Sequence, residues 1–442
     1  MIKIFNLSIL MIAISAVGLL GQANEIKFEQ ETLENGLHVI YNIDRSAPVV
    51  STVVHYKVGS KDENPNKTGF AHFFEHLMFE ATDDMPRSSI DKYINQAGGS
   101  LNAHTSSDET VYKFTVPSDQ IKLPLWIEAS RMRKLKVQTE GVETQRGVVK
   151  EERNVRVDNQ PYGDLLERMG ENLWAGSGYA WPTIGYHEHL NKATIEDFQN
   201  FYNQYYQPNN ACLVISGDFK ISDAKKYVKD YFGSIPKGNE IVRNEMVLNE
   251  IKGTIETTIE DEKAQLPGSF IGFRGPKLGS DDYYALSLLS NIMAAGESSR
   301  LYQTLVNEKQ LAVASQMMPV SMQYSGALIF VNIPNGNTEV KDLEKALFIE
   351  IDKVVKKGVT QEELTKAKNL QEASAIMSNK NTLSKAMSIA RYWAYYGDPK
   401  MINTEIDRFL AVTQEDIKRV AKKYLATDKK VILTYMPATA EK

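Results

Sequence analysis

The sequence predicts an α+β protein of two similar halves, each an antiparallel sheet with helices packed on one side. Three observations predict it. Runs rich in valine, isoleucine and threonine alternate along the chain with stretches whose apolar residues recur at helical spacing. A helix-then-strand unit occurs twice, as "TIEDFQNFYNQYYQPNNACLVIS" from Thr194 and "TQEDIKRVAKKYLATDKKVILTY" from Thr413. The length, 442 residues, with 42% apolar and 24% charged side chains, suffices for two full-sized cores. In the repeated unit Thr194 and Thr413, Glu196 and Glu415, Asp197 and Asp416, and Tyr205 and Tyr424 coincide at one offset. Each copy opens with a T-x-x-D helix cap, and each closes one of two halves of similar length, as a duplication would.

Taken in order, the chain starts "MIKIFNLSILMIAISAVGLLGQANE". Lys3, an apolar run from Ile4 to Leu20 and a small-residue site near Ala23 read as a secretory signal peptide over 1–23. The run is short for a membrane span. The expected address is therefore periplasmic or secreted, with no membrane association after the leader is removed. The first half is expected over 24–235. "TLENGLHVIYNI" places Asn35-Gly36 between apolar residues, a hairpin. "APVVSTVVHYKVGS" is a strand and "TGFAHFFEHLMF" a helix. "SSIDKYINQAGG" is a helix with a serine start and a glycine stop. "SLNAHTSSDETVYKFTVP" is two strand-like pieces. "SDQIKLPLWIEASRMRKLKV" and "ETQRGVVKEERNVRVDN" carry helical spacing, continuing toward "DLLERMGENLW". Cys212, the only cysteine, lies in an apolar strand-like run and can form no intrachain disulfide. A polar linker beginning with Pro236 and Gly238 is expected over 236–253. The second half, 254–442, resumes with a strand at "GSFIGFRGP". It continues with a capped helix ending at Gly296 and a Thr360–Glu363 capping box.

The formal net charge of −5 shows no basic excess to attract nucleic acid. The chemistry is concentrated in "TGFAHFFEHLMFEAT", residues 68–82. On a helix, His72, Glu75 and His76 share one face. Imidazoles at i and i+4 can both reach one zinc ion at about 2 Å. Glu75 is placed to take a proton from water held there. The order H-x-x-E-H reverses that of the common zinc-protease helix. A catalytic zinc needs a third protein ligand, and "QRGVVKEERN" offers Glu151 and Glu152, between which helical geometry does not choose.

Three stretches, "GFAHFFEHLMF", "GGSLNAHTSSDETVY" and "QRGVVKEE", together with "LENGL" near the start, resemble the inverzincins. These are the pitrilysin, insulin-degrading and mitochondrial-processing-peptidase family. The resemblance extends over nearly all the mature chain. It implies zinc-dependent hydrolysis of peptide bonds inside a chamber, of which this chain would form half of the clamshell. It implies one zinc per chain held by His72, His76 and Glu152, with Glu75 as the base. The family usually carries a further glutamate where this chain has Gln145, an uncharged neighbour expected to orient the site. "LNAHTSSDETVY" resembles the family's substrate-pairing edge strand, which makes Asn102 and Ala103 the expected substrate contacts. His104 is expected to line the cleft or to be structural. His187 and His189 are expected in a loop, and His38 and His55 as ordinary strand side chains.

The second half has no metal motif. Relatives often carry an arginine and a tyrosine there that bind substrate, and the matching positions are Val306 and Val313. The resemblance therefore implies a zinc-bearing subunit of a heterodimer, whose paralogous partner lacks zinc and supplies the Arg/Tyr pair, or else a homodimer. The competing expectation is a non-catalytic core or scaffold subunit.

Overall fold

A computed structural model describes residues 25–438 apart from residue 244. The expected leader lies outside the described residues. The first sheet is built from β1 (Glu29–Thr32), β2 (His38–Ile43), β3 (Val49–Tyr56), β4 (Ser100–Thr105), β5 (Thr110–Pro117) and β6 (Ala211–Gly217). The accompanying helices are α1 (Phe70–Leu77), α2 (Ile90–Gln96), α3 (Lys122–Lys134), α4 (Thr139–Arg153), α5 (Leu165–Leu173), α6 (His187–Lys192), α7 (Ile195–Tyr205) and α8 (Ile221–Phe232). Residues 236–254 contain no helix or strand among the described positions. The second sheet follows with β7 (Ile255–Asp261), β8 (Gly268–Gly275), β9 (Ala312–Ser321), β10 (Gly326–Pro334) and β11 (Val431–Pro437). Its helices are α9 (Asp281–Ala294), α10 (Val340–Lys357), α11 (Gln361–Met377), α12 (Thr382–Tyr396), α13 (Glu405–Ala411) and α14 (Gln414–Leu425).

The strand orders are β1-β2-β6-β3-β5-β4 and β7-β11-β8-β10-β9. Without β1 they superimpose strand for strand, as the repeated unit predicts. Each sheet is antiparallel except at one pair. β6 returns after a helix to lie parallel to β2, and β11 lies parallel to β7; a parallel neighbour requires such a crossover. The capping boxes close as read. Thr194, Thr360 and Thr413 each accept the backbone N–H three residues on. His187 and His189, expected in a loop, lie instead on the short helix α6. Leu190 is fully buried there, and burying that one side chain draws the segment into a helical turn.

Period-two alternation sends each strand's side chains to opposite faces. Val39, Tyr41, Val54, Tyr112 and Leu213 enter a core with the first half's own helices. Ile40, Val53, Val111, Cys212 and Val214 face the other way, onto Ala386, Ile389 and Ala390 of α12. The second sheet reciprocates. Ile271, Phe273, Leu328 and Phe330 pack on its own helices. Phe270, Ile329, Val431 and Leu433 pack on Met169 and Leu173 of α5. Each half's own helices thus lie on one face, and the opposite face is roofed by a helix from the other half. α5 falls inside α12 at the offset of the repeated unit, so the exchange is itself a repeat. Gly272 of β8 permits the close approach: a Cβ there would lie 2.5 Å from Met169 Sδ.

Candidate metal centre

The orientation of α1 is set by its apolar side chains. Phe70, Phe73, Phe74 and Leu77 are buried. Phe70 stacks on Phe198 at 4.7 Å and Phe74 on Phe201 at 5.5 Å between ring centroids. Packing of that face on α7 leaves His72, Glu75 and His76 to share the remaining one. The start of the helix is equally fixed. Gly69 adopts φ +90°, and a Cβ on it would meet the Ile184 carbonyl at 2.7 Å. The buried Glu63 carboxyl accepts the N–H groups of Gly69 and Ala71, each at 2.8 Å. These are orphan donors of the first turn, where an acceptor is favoured.

α4 brings the third side chain. Glu152 Oε2 lies 3.5 Å from His72 Nε2 and 3.2 Å from His76 Nε2. Two donors about 2 Å from a tetrahedral zinc stand about 3.3 Å apart, so the spacing fits the ion. Among the described residues these three form the one group of histidine, cysteine or carboxylate side chains close enough to hold a metal. Of the pair left open by helical spacing, Glu152 faces the histidines. Glu151 instead accepts from Asn154 at 3.1 Å. Hydrogen bonding from His72, against the opposing effect of burial, and the nearby His76 and Arg156 hold the Glu152 carboxyl down at about 2. Burial, reinforced by the charge of His72, lowers His76. A deprotonated carboxylate and a neutral imidazole are the ligand forms a metal requires.

Glu75 sits beside this group. Its Oε2 accepts the Thr105 hydroxyl at 2.8 Å. Asn102 and Ala103 lie on β4, which ends the first sheet and pairs only with β5. Among the described residues no second strand pairs with β4, and the Ala103 N–H donates to the Asn102 side chain, Oδ1, at 2.7 Å. Gln145 makes no hydrogen bond to the three convergent side chains; its amide donates to Glu80 Oε1 at 2.8 Å. Arg87 holds the other oxygen of Glu80 at 2.5 Å. His104 turns away, to Glu109 Oε1 at 3.2 Å. His55 reaches Oε2 of the same carboxylate at 3.5 Å, so these two histidines belong to a buried polar cluster on the far face of the sheet. His189 accepts from the Thr68 N–H at 3.3 Å, just before the metal helix. His187 meets Asp158 at 2.9 Å, and His38 stacks on Trp393 at 5.4 Å.

The residues that sequence reading misses here are Glu63, Thr105 and Arg156. Arg156 lies 2.5 Å from Glu152 Oε1, an i,i+4 pair visible in principle as E-x-x-x-R. Glu63 and Thr105 act across loops and carry no local pattern.

Known proteins resemble the chain along most of its length. The profile described as Insulinase (Peptidase family M16) matches residues 38–185, which hold all four side chains of the site. The profile described as Peptidase M16 inactive domain matches residues 192–371. The chain is 30% identical over 427 residues to "Zinc protease PqqE" of Helicobacter pylori, covering 96% of both chains. A crystal structure of a protease from Helicobacter pylori aligns with TM-score 0.88 and 29% identity, over 93% of this chain and 100% of that one. The periplasmic protease PqqL of Escherichia coli shares the fold at TM-score 0.77 and 19% identity, with 94% of this chain matching 48% of that one. On this full-length similarity, and with the reversed zinc motif in its first half, the chain belongs to the M16 (insulinase) family of peptidases.

Proposed function

We propose that this protein is a zinc-dependent metalloendopeptidase that hydrolyses peptides within an enclosed chamber. The observation that carries the reading is the convergence of His72 Nε2, His76 Nε2 and Glu152 Oε2 at ligand spacing, with the Glu75 carboxylate on the same helix face. His72, His76 and Glu152 would hold one zinc per chain. Zinc, when bound, polarises the scissile carbonyl and acidifies the attacking water. Glu75 takes that water's proton and delivers it to the departing amine. Arg156 keeps the second oxygen of Glu152 occupied, leaving Oε2 for the metal. The edge strand β4, with Asn102 and Ala103, would pair with substrate backbone once the Ala103 N–H exchanges Asn102 Oδ1 for a substrate carbonyl, and so grip peptides with little side-chain demand. Gln145 would act at one remove, through Glu80.

The same reading makes the chain a zinc-bearing subunit that meets a second chain to close the chamber. Two observations support it. Val306 is half-buried against the second core, and Val313 is exposed on the edge strand β9, so neither supplies the cation or phenol of the Arg/Tyr pair. The chain also spans about half of PqqL. A paralogous partner without zinc would supply the pair; a homodimer would close the chamber without it. The apolar stretch at residues 4–20, if it acts as a leader, would direct the chain to the periplasm or beyond. Among the described residues no helix is long and apolar enough to cross a membrane.

The test is metal analysis combined with turnover of unstructured peptides by the wild type and by Glu75→Gln, each assayed alone and with its paralogous partner. A peptidase binds zinc in both forms and turns over in the first alone. A scaffold subunit, the competing reading, shows no turnover in either. Full turnover with ordinary affinity by this chain alone rejects the heterodimer.

A further inference from the structure

We infer that Thr105 is a positioning residue, whose hydroxyl holds Glu75 in the orientation that proton transfer needs. The inference rests on the peptidase reading and deepens it.

A general base has to present one oxygen to the water, and a glutamate has three side-chain torsions to fix. In this protein the Thr105 hydroxyl donates to Glu75 Oε2 at 2.8 Å. Among the described residues no protein group donates to Oε1, which is left for the water. The hydrogen bond spans two elements that are separately anchored. On the helix side, the Tyr112 hydroxyl donates to the Phe74 carbonyl at 2.9 Å, fixing the backbone next to Glu75.

On the strand side, Thr105 ends β4 and begins the hairpin to β5. Ser60 and Lys61 donate their N–H groups to the carbonyls of Ser106 and Ser107, at 3.2 and 3.0 Å. Asp108 is buried at the tip. It accepts the Tyr179 hydroxyl at 2.6 Å and the Gln323 N–H of the second half at 3.0 Å, with Lys61 Nζ 3.4 Å away. A hydroxyl on so well-held a hairpin is a fixed reference point for the carboxylate.

A hydrogen bond from a neutral donor to a charged acceptor in a low-dielectric site is among the stronger ones. Its loss also lets the base sample unproductive rotamers.

The experiment compares Thr105→Val, which keeps the shape and removes the hydroxyl, with Thr105→Ser, which keeps the hydroxyl. Both are made in the full chain, zinc-loaded, with any subunit that turnover requires, and assayed on an internally quenched peptide mixture. Thr105→Val is expected to lower kcat about 10- to 100-fold, with KM and zinc content within about twofold. Thr105→Ser is expected to restore most of the loss. A second readout is independent of turnover. In crystals of the metal-free variants the Glu75 carboxylate should leave its place in Thr105→Val and keep it in Thr105→Ser. Undiminished kcat in Thr105→Val overturns the inference. So does a Thr105→Ser variant as impaired as Thr105→Val, because the methyl packing would then matter and not the hydroxyl. Glu75→Gln separates the two levels. If it keeps wild-type turnover, the peptidase reading falls and the role of Thr105 falls with it. If it is inactive while Thr105→Val is unimpaired, only the role of Thr105 falls.

Discussion

Helices α1 and α9 occupy the same place in the same strand order, and their composition is opposite. α1 carries two imidazoles and a carboxylate on one face. At the offset of the repeated unit the matching positions of the second half are Asn291, Ala294 and Ala295, with no imidazole or carboxylate among them. Where α4 presents Glu152, the offset of the repeat places Gln371 on α11. The ties to the neighbouring helix differ as well. α1 meets α7 through stacked aromatic rings. α9 meets α14 through Asp282, which Lys423 and the Tyr424 hydroxyl each reach at 2.7 Å. One scaffold therefore supports either an apolar helix or a polar site. The polar version carries extra support: the Glu63 carboxyl on its first turn, the Thr105 hydroxyl on Glu75 and the Arg156 guanidinium on Glu152. Even so, His72 Nδ1 is buried without a partner among the described residues. Local rules are broken at a site and compensated around it, as expected where function opposes stability.

The contrast is broken most severely by Glu75→Gln. Kcat should fall about 10³-fold with zinc retained, read by steady-state turnover beside metal analysis. His76→Ala should next weaken zinc binding about 100-fold or more, read by competition with a chelating dye. The upward shift in melting temperature that zinc gives the wild type should vanish with it. Leu173→Ala on α5 and Ile389→Ala on α12 probe the exchanged roofs. Both side chains are fully buried, so each change should cost about 3 kcal/mol by denaturant unfolding. Near-equal costs would show the halves equally dependent on each other.

Asp282→Asn should cost about 1 kcal/mol near neutral pH, because the cationic partners are half exposed and screened. Burial works to raise this carboxyl, but Lys423, Arg419 and Tyr424 outweigh it and hold it at about 2, below its ordinary 3.8. A depressed folded value stabilises above the unfolded value. The difference between wild type and variant should therefore be complete above about pH 5 and fade as pH falls through 3.8 toward 2, as thermal melts across that range would show. Finally, Gln371→Glu should give the second half no zinc affinity at all. A lone carboxylate with asparagine and two alanines where the first half has His72, Glu75 and His76 is not a ligand set, and metal content should stay at that of the parent.

Much of this was legible in the sequence. The capping boxes at Thr194, Thr360 and Thr413 and the Asn35-Gly36 turn are local patterns, and local patterns survive folding. His72, Glu75 and His76 declare themselves because a helix places them together whatever surrounds it. Glu152 is different: spacing alone left it level with Glu151, and the packing of α4 decides between them. Thr105 reaches the site only through a tertiary contact and Glu63 caps α1 across a loop, and neither follows a pattern that a linear reading recognises. The exchange of α5 and α12 was hidden for a related reason. Both helices are amphipathic, and an apolar stripe does not say whose sheet it will cover.

That exchange has a practical consequence. Cutting the connector between residues 236 and 250 would leave two fragments that remain one particle, since parting them strips the roof from both sheets at once. Neither fragment would be an autonomous folding unit. Attempts to express the first piece alone should yield aggregates, and co-expressing the two pieces should recover them together.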